Sequence, residues 1–247
     1  MRVLVFTCDP YYELLEGFSA LFNRHWGPEQ QVDVLGFTEP NFDLPSNFVF
    51  HSAGRQSDFP PKTIYDPFAS IINSFPEDYF TMFLEDTFLI RDVDKKLVEK
   101  AKQKIINGVA DSIAMFWGGG HQYFSCTEHD ADFLEYSQEM TYRVNAAPQM
   151  MTKDLFFRYM KPGMGLHQYE IDNIESAKNN GATLLCGKKP LAPWINILRH
   201  GKFNSNIERR LAETNGGTFG WNPIQVIEKE DEEIVYSYKK WSATKPS

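Results

Sequence analysis

The chain has 247 residues, 42% hydrophobic and 23% charged, enough for one sizeable α/β core and scarcely enough for two, so a single domain over residues 1–247 is expected. A formal net charge of −8 excludes a broad nucleic-acid surface, which needs a basic stripe; an anionic ligand must be met locally, by a few Lys or Arg side chains or a bound divalent ion. Cys8, Cys126 and Cys186 are odd in number and lack zinc spacing, Met1–Arg2 runs into VLVF without a signal-peptide core, and no apolar run reaches membrane length; a reduced, cytoplasmic protein with no transmembrane segment is expected.

Arg2–Thr7 is a β-rich run stopped by Cys8–Asp9–Pro10. Tyr11–Trp26 follows with Leu14, Leu15, Phe18, Leu21 and Phe22 at helical spacing, and Gly27–Pro28 ends it. Val32–Phe37 is a second strand. This β, loop, α, β opening predicts an α/β fold with a Rossmann-like, mostly parallel central sheet flanked by helices. Ligands of such sheets bind beyond the carboxyl ends of the strands, which directs attention to Thr7–Asp9. Thr38–Lys62 reads mostly as loop with one strand-like piece, Phe48–His51, and Ile64–Ser74 as a short helix.

Tyr79–Ile90, YFTMFLEDTFLI, is the central strand, bounded by Pro76 and the charged RDVDKK segment and interrupted once by Glu85–Asp86. A buried unpaired carboxylate is costly, so an acidic pair in such a run predicts a cation, a strong donor or water beside it. Successive strand residues point to opposite faces, so both acids can share one ion only if the strand has already ended there. The competing role is a helix cap or a salt bridge to Lys95 or Lys96.

Asp92 or Asp94 can cap a helix carrying Val93, Leu97, Val98, Ala101, Ile105 and Ile106 on one face, closed by Gly108. Ser112–Trp117 is the next strand, and Gly118–Gly120, which fits neither phosphate-loop spacing, is a turn. Glu135–Ala147 reads as strand, Thr152–Met160 as a capped helix ending at Pro162–Gly163, and His167–Asn180 as a helix. Ala182–Cys186 and Trp194–Leu198 read as strands and Ser205–Thr214 as a helix. Glu228–Glu233 reads as a solvated hairpin between Ile224–Ile227 and Ile234–Tyr238.

Four stretches in this order, VLVFTCD, FLEDTFLI, NAAPQMMTKDLFFRYMKPGMGLHQYEID and INILRHGKF, give the chain a resemblance to the GT-A fold of nucleotide-diphospho-sugar glycosyltransferases, particularly small single-domain bacterial and phage-type members. The third is the most informative: in similar transferases a strand and helix lead into a segment patterned like "pWeFE", a place held here by His167–Gln168–Tyr169–Glu170. Two departures stand out. His167 replaces the Trp of that pattern, and Glu85–Asp86–Thr87–Phe88 lacks the second acid of an Asp-x-Asp metal signature.

The resemblance implies a glycosyltransferase that moves a sugar from a nucleotide-activated donor to an unknown acceptor hydroxyl on a saccharide, a lipid-linked group or a protein, metal-assisted by Mn²⁺ or Mg²⁺ and inverting. Asp86, then Glu85, would hold the metal, with His200 as a further ligand. Glu170, set among Tyr169, Ile171 and Phe156–Phe157, would be the catalytic base. Thr7 and Asp9 would hydrogen-bond the base or ribose, Tyr11 or Tyr12 would stack on the base, and Lys202 would reach the diphosphate. Lys188, Lys189 and Arg143 are further phosphate partners, and Phe116–Trp117, Tyr123–Phe124 and Trp194 are candidate sugar platforms. The alternatives are a nucleotidyltransferase, disfavoured by Cys8–Asp9–Pro10–Tyr11 where a basic, Gly-rich loop belongs, and a non-catalytic carbohydrate- or protein-binding module on the same sheet.

Overall fold

The computed structural model describes residues 1–60, 62–115, 126–199, 202–204 and 226–227. In chain order the elements are β1 (Val3–Phe6), α1 (Leu14–His25), β2 (Val32–Gly36), β3 (Phe48–Ser52), α2 (Tyr65–Ser74), β4 (Tyr79–Leu84), β5 (Thr87–Leu89) and α3 (Lys95–Ile106). They continue with β6 (Ser112–Ala114), β7 (Cys126–Glu128), β8 (Phe133–Tyr136), β9 (Gln149–Thr152), α4 (Lys153–Tyr159), α5 (Leu166–Ile171), β10 (Leu184–Gly187), β11 (Trp194–Asn196), β12 (Leu198–Arg199), β13 (Lys202–Asn204) and β14 (Val226–Ile227).

Nine strands form one sheet in the order β3-β2-β1-β4-β9-β6-β10-β8-β7. The expected parallel sheet is its first part, where β3, β2, β1 and β4 run the same way. Beyond β4 the sheet is mixed, because β9 runs antiparallel to both β4 and β6 while β6 and β10 are again parallel. Side chains alternate across the pleat. Val3, Val5, Val34 and Phe83 enter one apolar cluster with Leu15, Phe18 and Phe22 of α1 and Leu97 and Ala101 of α3. Leu4, Phe6, Leu35 and Met82 enter the other with Phe68 and Ile72 of α2, Phe156 of α4 and Tyr169 of α5. Helices therefore cover both faces, and β1 is buried at every position, which explains its unbroken apolar sequence.

Asp94, rather than Asp92, caps α3 by accepting from Leu97 N at 2.9 Å, and Gly108 closes the helix at φ +67°, a left-handed value that favours glycine. Thr152 caps α4 as expected.

Three predicted elements are corrected. Tyr79–Ile90 is two strands, since β4 ends at Leu84 and Thr87 Oγ1 donates to Leu84 O at 2.6 Å across a tight turn. β5 then leaves the main sheet to pair antiparallel with β11. Of Glu135–Ala147 only the beginning is strand, within β8; the rest is a loop wound around Arg143. The helix predicted over His167–Asn180 stops at Ile171, and Asn173 Nδ2 then donates to the carbonyls of Tyr159 (3.2 Å) and Tyr169 (2.9 Å). The readings at Phe116–Trp117, Gly118–Gly120, Tyr123–Phe124, His200, Ser205–Thr214, Glu228–Glu233 and Ile234–Tyr238 lie outside the described residues. Among the described residues no helix is long and apolar enough to cross a membrane.

Candidate functional site

β1 and β4 end at the same level, with Phe6 and Leu84 as register partners. The next residues of each chain, Thr7–Cys8 and Glu85–Asp86, therefore emerge side by side at the carboxyl edge of the parallel half-sheet. Glu85 N donates to Phe6 O at 3.2 Å and Thr7 N to Leu35 O at 2.9 Å, which ties both exits to the sheet. Because β4 has ended, Glu85 and Asp86 occupy a turn and both enter the same pocket.

That pocket holds about 250 Å³, with Thr7, Cys8, Tyr11, Glu85 and Asp86 as its polar lining and Phe6, Ile64, Leu84, Leu166 and Leu198 as its apolar lining. This is below the roughly 300–1,000 Å³ of sites that enclose a whole ligand, so it suits part of a larger molecule. Among the described residues no Lys or Arg lines it.

Glu85 is 8% exposed, and Asp86 Oδ1 is buried with no hydrogen-bond partner among the described residues. No ion pair found among the described residues includes either acid. Lys95, one of the two partners that the competing salt-bridge role offered, is bonded to Glu29 instead. Burial pushes the Asp86 carboxyl up to about 7, and burial together with the charge of Asp86 pushes Glu85 well above the usual carboxylate range. Two neighbouring, poorly solvated acids cannot both ionise cheaply without a cation, so the pair tends to keep a proton near neutrality. Among the described residues no group of three or more His, Cys, Asp or Glu is placed to hold a metal ion. The donor set nevertheless fits a hard divalent cation: one or two carboxylates, with the remaining positions left to phosphates and water, is how Mg²⁺ is commonly bound.

Thr7 supplies a second orphan. It is 5% exposed and its Oγ1 has no partner among the described residues. Its methyl is seated where Gly36 has no side chain; a Cβ on Gly36 would lie 2.8 Å from Thr7 Cγ2 and 2.5 Å from the Phe50 ring. With one branch fixed, a β-branched residue has little freedom for the other. Tyr11 lines the same pocket, and burial followed by the charges of Cys8, Glu85 and Asp86 raises its hydroxyl, so it stays a donor. Burial, then the charges of Glu85 and Asp9, pushes the Cys8 thiol up and keeps it neutral. Tyr12 turns away to stack on Phe42, with ring centroids 6.3 Å apart.

Asp9 stands outside the lining. Its carboxylate accepts from Thr38 N and Thr38 Oγ1, both at 2.9 Å, and its own N–H donates to Gln56 Oε1 at 2.8 Å. It thus fastens the β1 exit to the loops after β2 and β3. Glu170 is half-buried on α5, one helical turn after the pocket-lining Leu166, and its carboxylate accepts from Ala146 N at 2.8 Å. Tyr169 between them is buried in the core against Phe156. Lys202 opens β13 opposite Arg199, whose neighbour Leu198 lines the pocket.

Three secondary candidates are otherwise engaged. Arg143 is 2% exposed and donates to the carbonyls of Ala177, Tyr136 and Ala182, so it is a structural core cation and not a phosphate partner. Lys188 pairs with Glu128. Trp194 packs against the core on the face covered by α1 and α3. Sequence reading missed the pocket's apolar wall: Ile64 and Leu166 lie 102 residues apart in the chain, Ile64 reads as an ordinary helix-start residue, Leu166 falls just before the predicted helix, and Cys8 reads only as a strand stop.

No protein-family model matches the chain, and no curated protein sequence matches it. Among solved structures, it is similar to the crystal structure of S. aureus TarS 1-349, with a TM-score of 0.50 and 11% sequence identity over 98% of this chain and 72% of that one. At that identity the likeness shows the fold alone. The architecture is a mixed α/β, glycosyltransferase-like fold.

Proposed function

We propose that this protein is a glycosyltransferase that binds a nucleotide-sugar donor where β1 and β4 end, with Asp86 and Glu85 holding a divalent cation against the donor's diphosphate. Two adjacent acids, Glu85 buried and Asp86 half-buried with its Oδ1 away from solvent, have no cationic partner among the described residues, and no Lys or Arg is among the described residues that line the pocket; these observations support this reading. A diphosphate entering such a pocket needs a cation, and so do the acids. Mn²⁺ or Mg²⁺ bound there would offset the charge that develops on the leaving nucleoside diphosphate. Thr7 Oγ1 and the Tyr11 hydroxyl would hydrogen-bond the nucleoside, with the Tyr11 ring as an apolar wall. Asp9 would hold the loop that frames it and offer its remaining lone pairs to the ribose. Lys202, on the strand after Leu198, would approach the phosphates. Glu170 would take the proton of the acceptor hydroxyl, and displacement from the face opposite the leaving group would invert the sugar's anomeric centre.

A binding module on the same fold is the second reading, and one observation favours it: the Glu170 carboxylate is already bonded to Ala146 N and is not part of the pocket lining.

Thermal melts against UDP-, GDP-, CDP- and dTDP-sugars, each with EDTA or MnCl₂, test the proposal. One donor is expected to raise the melting temperature more with Mn²⁺; at a hundredfold excess over Kd the gain is about 2.7 kcal/mol. Asp86→Asn should remove the Mn²⁺ increment. No shift with any donor, or the same shift without metal, overturns the metal-assisted transferase. Donor hydrolysis or transfer separates the enzyme from the binding module.

A further inference from the structure

The apolar wall of the pocket is made by two segments far apart in sequence, 62–66 entering α2 and 163–166 entering α5, and they are stitched together closely. Ile64 N and Tyr65 N both donate to Met164 O, at 2.9 and 3.2 Å. Gly163 N donates to Asp66 Oδ2 at 2.9 Å, and Thr63 Oγ1 lies 3.0 Å from that same oxygen and 3.3 Å from Met164 O. The backbones touch: a Cβ on Gly165 would lie 1.9 Å from Lys62 O, so only glycine fits. Lys62 itself adopts φ +64° to present that carbonyl.

Each segment contributes one wall residue, Ile64 from the first and Leu166 from the second. The second also begins α5, which carries Glu170 one turn further on. Asp66 is the one side chain whose carboxylate oxygen serves both sides of this seam, accepting from Thr63 of its own segment and from Gly163 of the other. Asp66 and Gly163 are exposed, so water competes for this bond and offsets part of the strength that a charged acceptor adds.

We propose that Asp66 is a positioning residue for the donor site: by joining Gly163 to Thr63 it holds Ile64 and Leu166 as one wall and sets the start of α5. This inference rests on the donor site proposed above. Asp66 touches no ligand itself. Without it the two segments keep their backbone contacts at Met164 but lose the clasp on the Gly163 side, and the wall loosens.

The test measures binding of UDP, GDP, CDP and dTDP with MnCl₂ by calorimetry at 10 °C, well below unfolding, for wild type, Asp66→Ala, Asp66→Asn and Thr63→Val. For the nucleotide that wild type binds, Asp66→Ala should weaken Kd about fivefold, the scale of one lost solvent-exposed clasp. Asp66→Asn, which keeps an acceptor oxygen, should return Kd to within about twofold of wild type, and Thr63→Val should weaken it about threefold. The Mn²⁺ dependence should persist in all three. If Asp66→Ala fails to fold, Thr63→Val and Asp66→Asn carry the comparison. A purely structural Asp66 would lower the melting temperature of Asp66→Ala and leave Kd at 10 °C unchanged, as would Thr63→Val; that pattern overturns the inference while the donor site stands. Wild type that binds none of the four nucleotides overturns both.

Discussion

Replacing Asp86 with Asn should make the metal-free protein more stable at pH 8, an unusual direction for a substitution in a buried site. In the unfolded chain the carboxyl ionises near its ordinary 3.8, whereas burial holds it protonated in the fold up to about 7. Between those values the native state keeps a proton that the unfolded chain has lost, so stability falls as pH rises through that window and stays low above about 7. At about 1.36 kcal/mol for each pH unit separating the two states, the acid costs at most about 4 kcal/mol at pH 8. Asparagine has the same shape and no charge. It leaves a buried amide short of partners at a cost of about 1–3 kcal/mol, so the net gain should be about 1–3 kcal/mol. Urea unfolding of wild type and Asp86→Asn in EDTA, at intervals from pH 4 to pH 8, isolates this pair because every other titrating group is common to both. The variant should lie about 1–2 kcal/mol below wild type at pH 4, where the acid is protonated in the fold and only the amide cost remains, and exceed it at pH 8. A variant less stable than wild type at pH 8, or a difference that does not change with pH, would mean that Asp86 already has a cationic partner, and the argument for a bound ion would fail.

Three other outcomes follow from the same geometry. Thr7→Val keeps the methyl over Gly36 and removes a buried hydroxyl that has no partner among the described residues, so apo stability should hold or rise by up to about 1 kcal/mol while nucleotide affinity drops about tenfold; denaturation and calorimetry read the two effects separately. Arg143→Ala strands several buried carbonyls and should cost about 3–5 kcal/mol in urea unfolding, with nucleotide affinity of the folded fraction unchanged. Glu170→Gln should abolish turnover and leave donor Kd within about twofold, and unchanged turnover would remove Glu170 from the chemistry.

The parts of the fold that could be read from sequence are those where one element has one environment. β1 is apolar throughout because helices cover both faces of the sheet, and α1 shows its stripe because only one side meets the core. The placement of Thr7 followed from the parallel opening alone. The turn at Glu85–Asp86 was hidden because both sides of it are equally apolar. What splits the run is a short hydroxyl bond from Thr87 and pairing with a strand more than 100 residues away. Arg143 was misread for a related reason: an arginine in a loop resembles a free phosphate ligand until carbonyls 34 and 39 residues further along fold back onto it. The seam at Asp66 left no local signature, since a carboxylate in the first turn of a helix already has an ordinary explanation there.

Crystals soaked with MnCl₂ and each nucleoside diphosphate in turn, with diffraction recorded at the manganese absorption edge, put the claim about the strand-end acids to its plainest test. An anomalous peak is expected within about 2.1–2.3 Å of a carboxylate oxygen of Asp86, with phosphate oxygens completing its shell. An occupied nucleotide pocket with no manganese at Asp86, or manganese bound only elsewhere, would contradict the account.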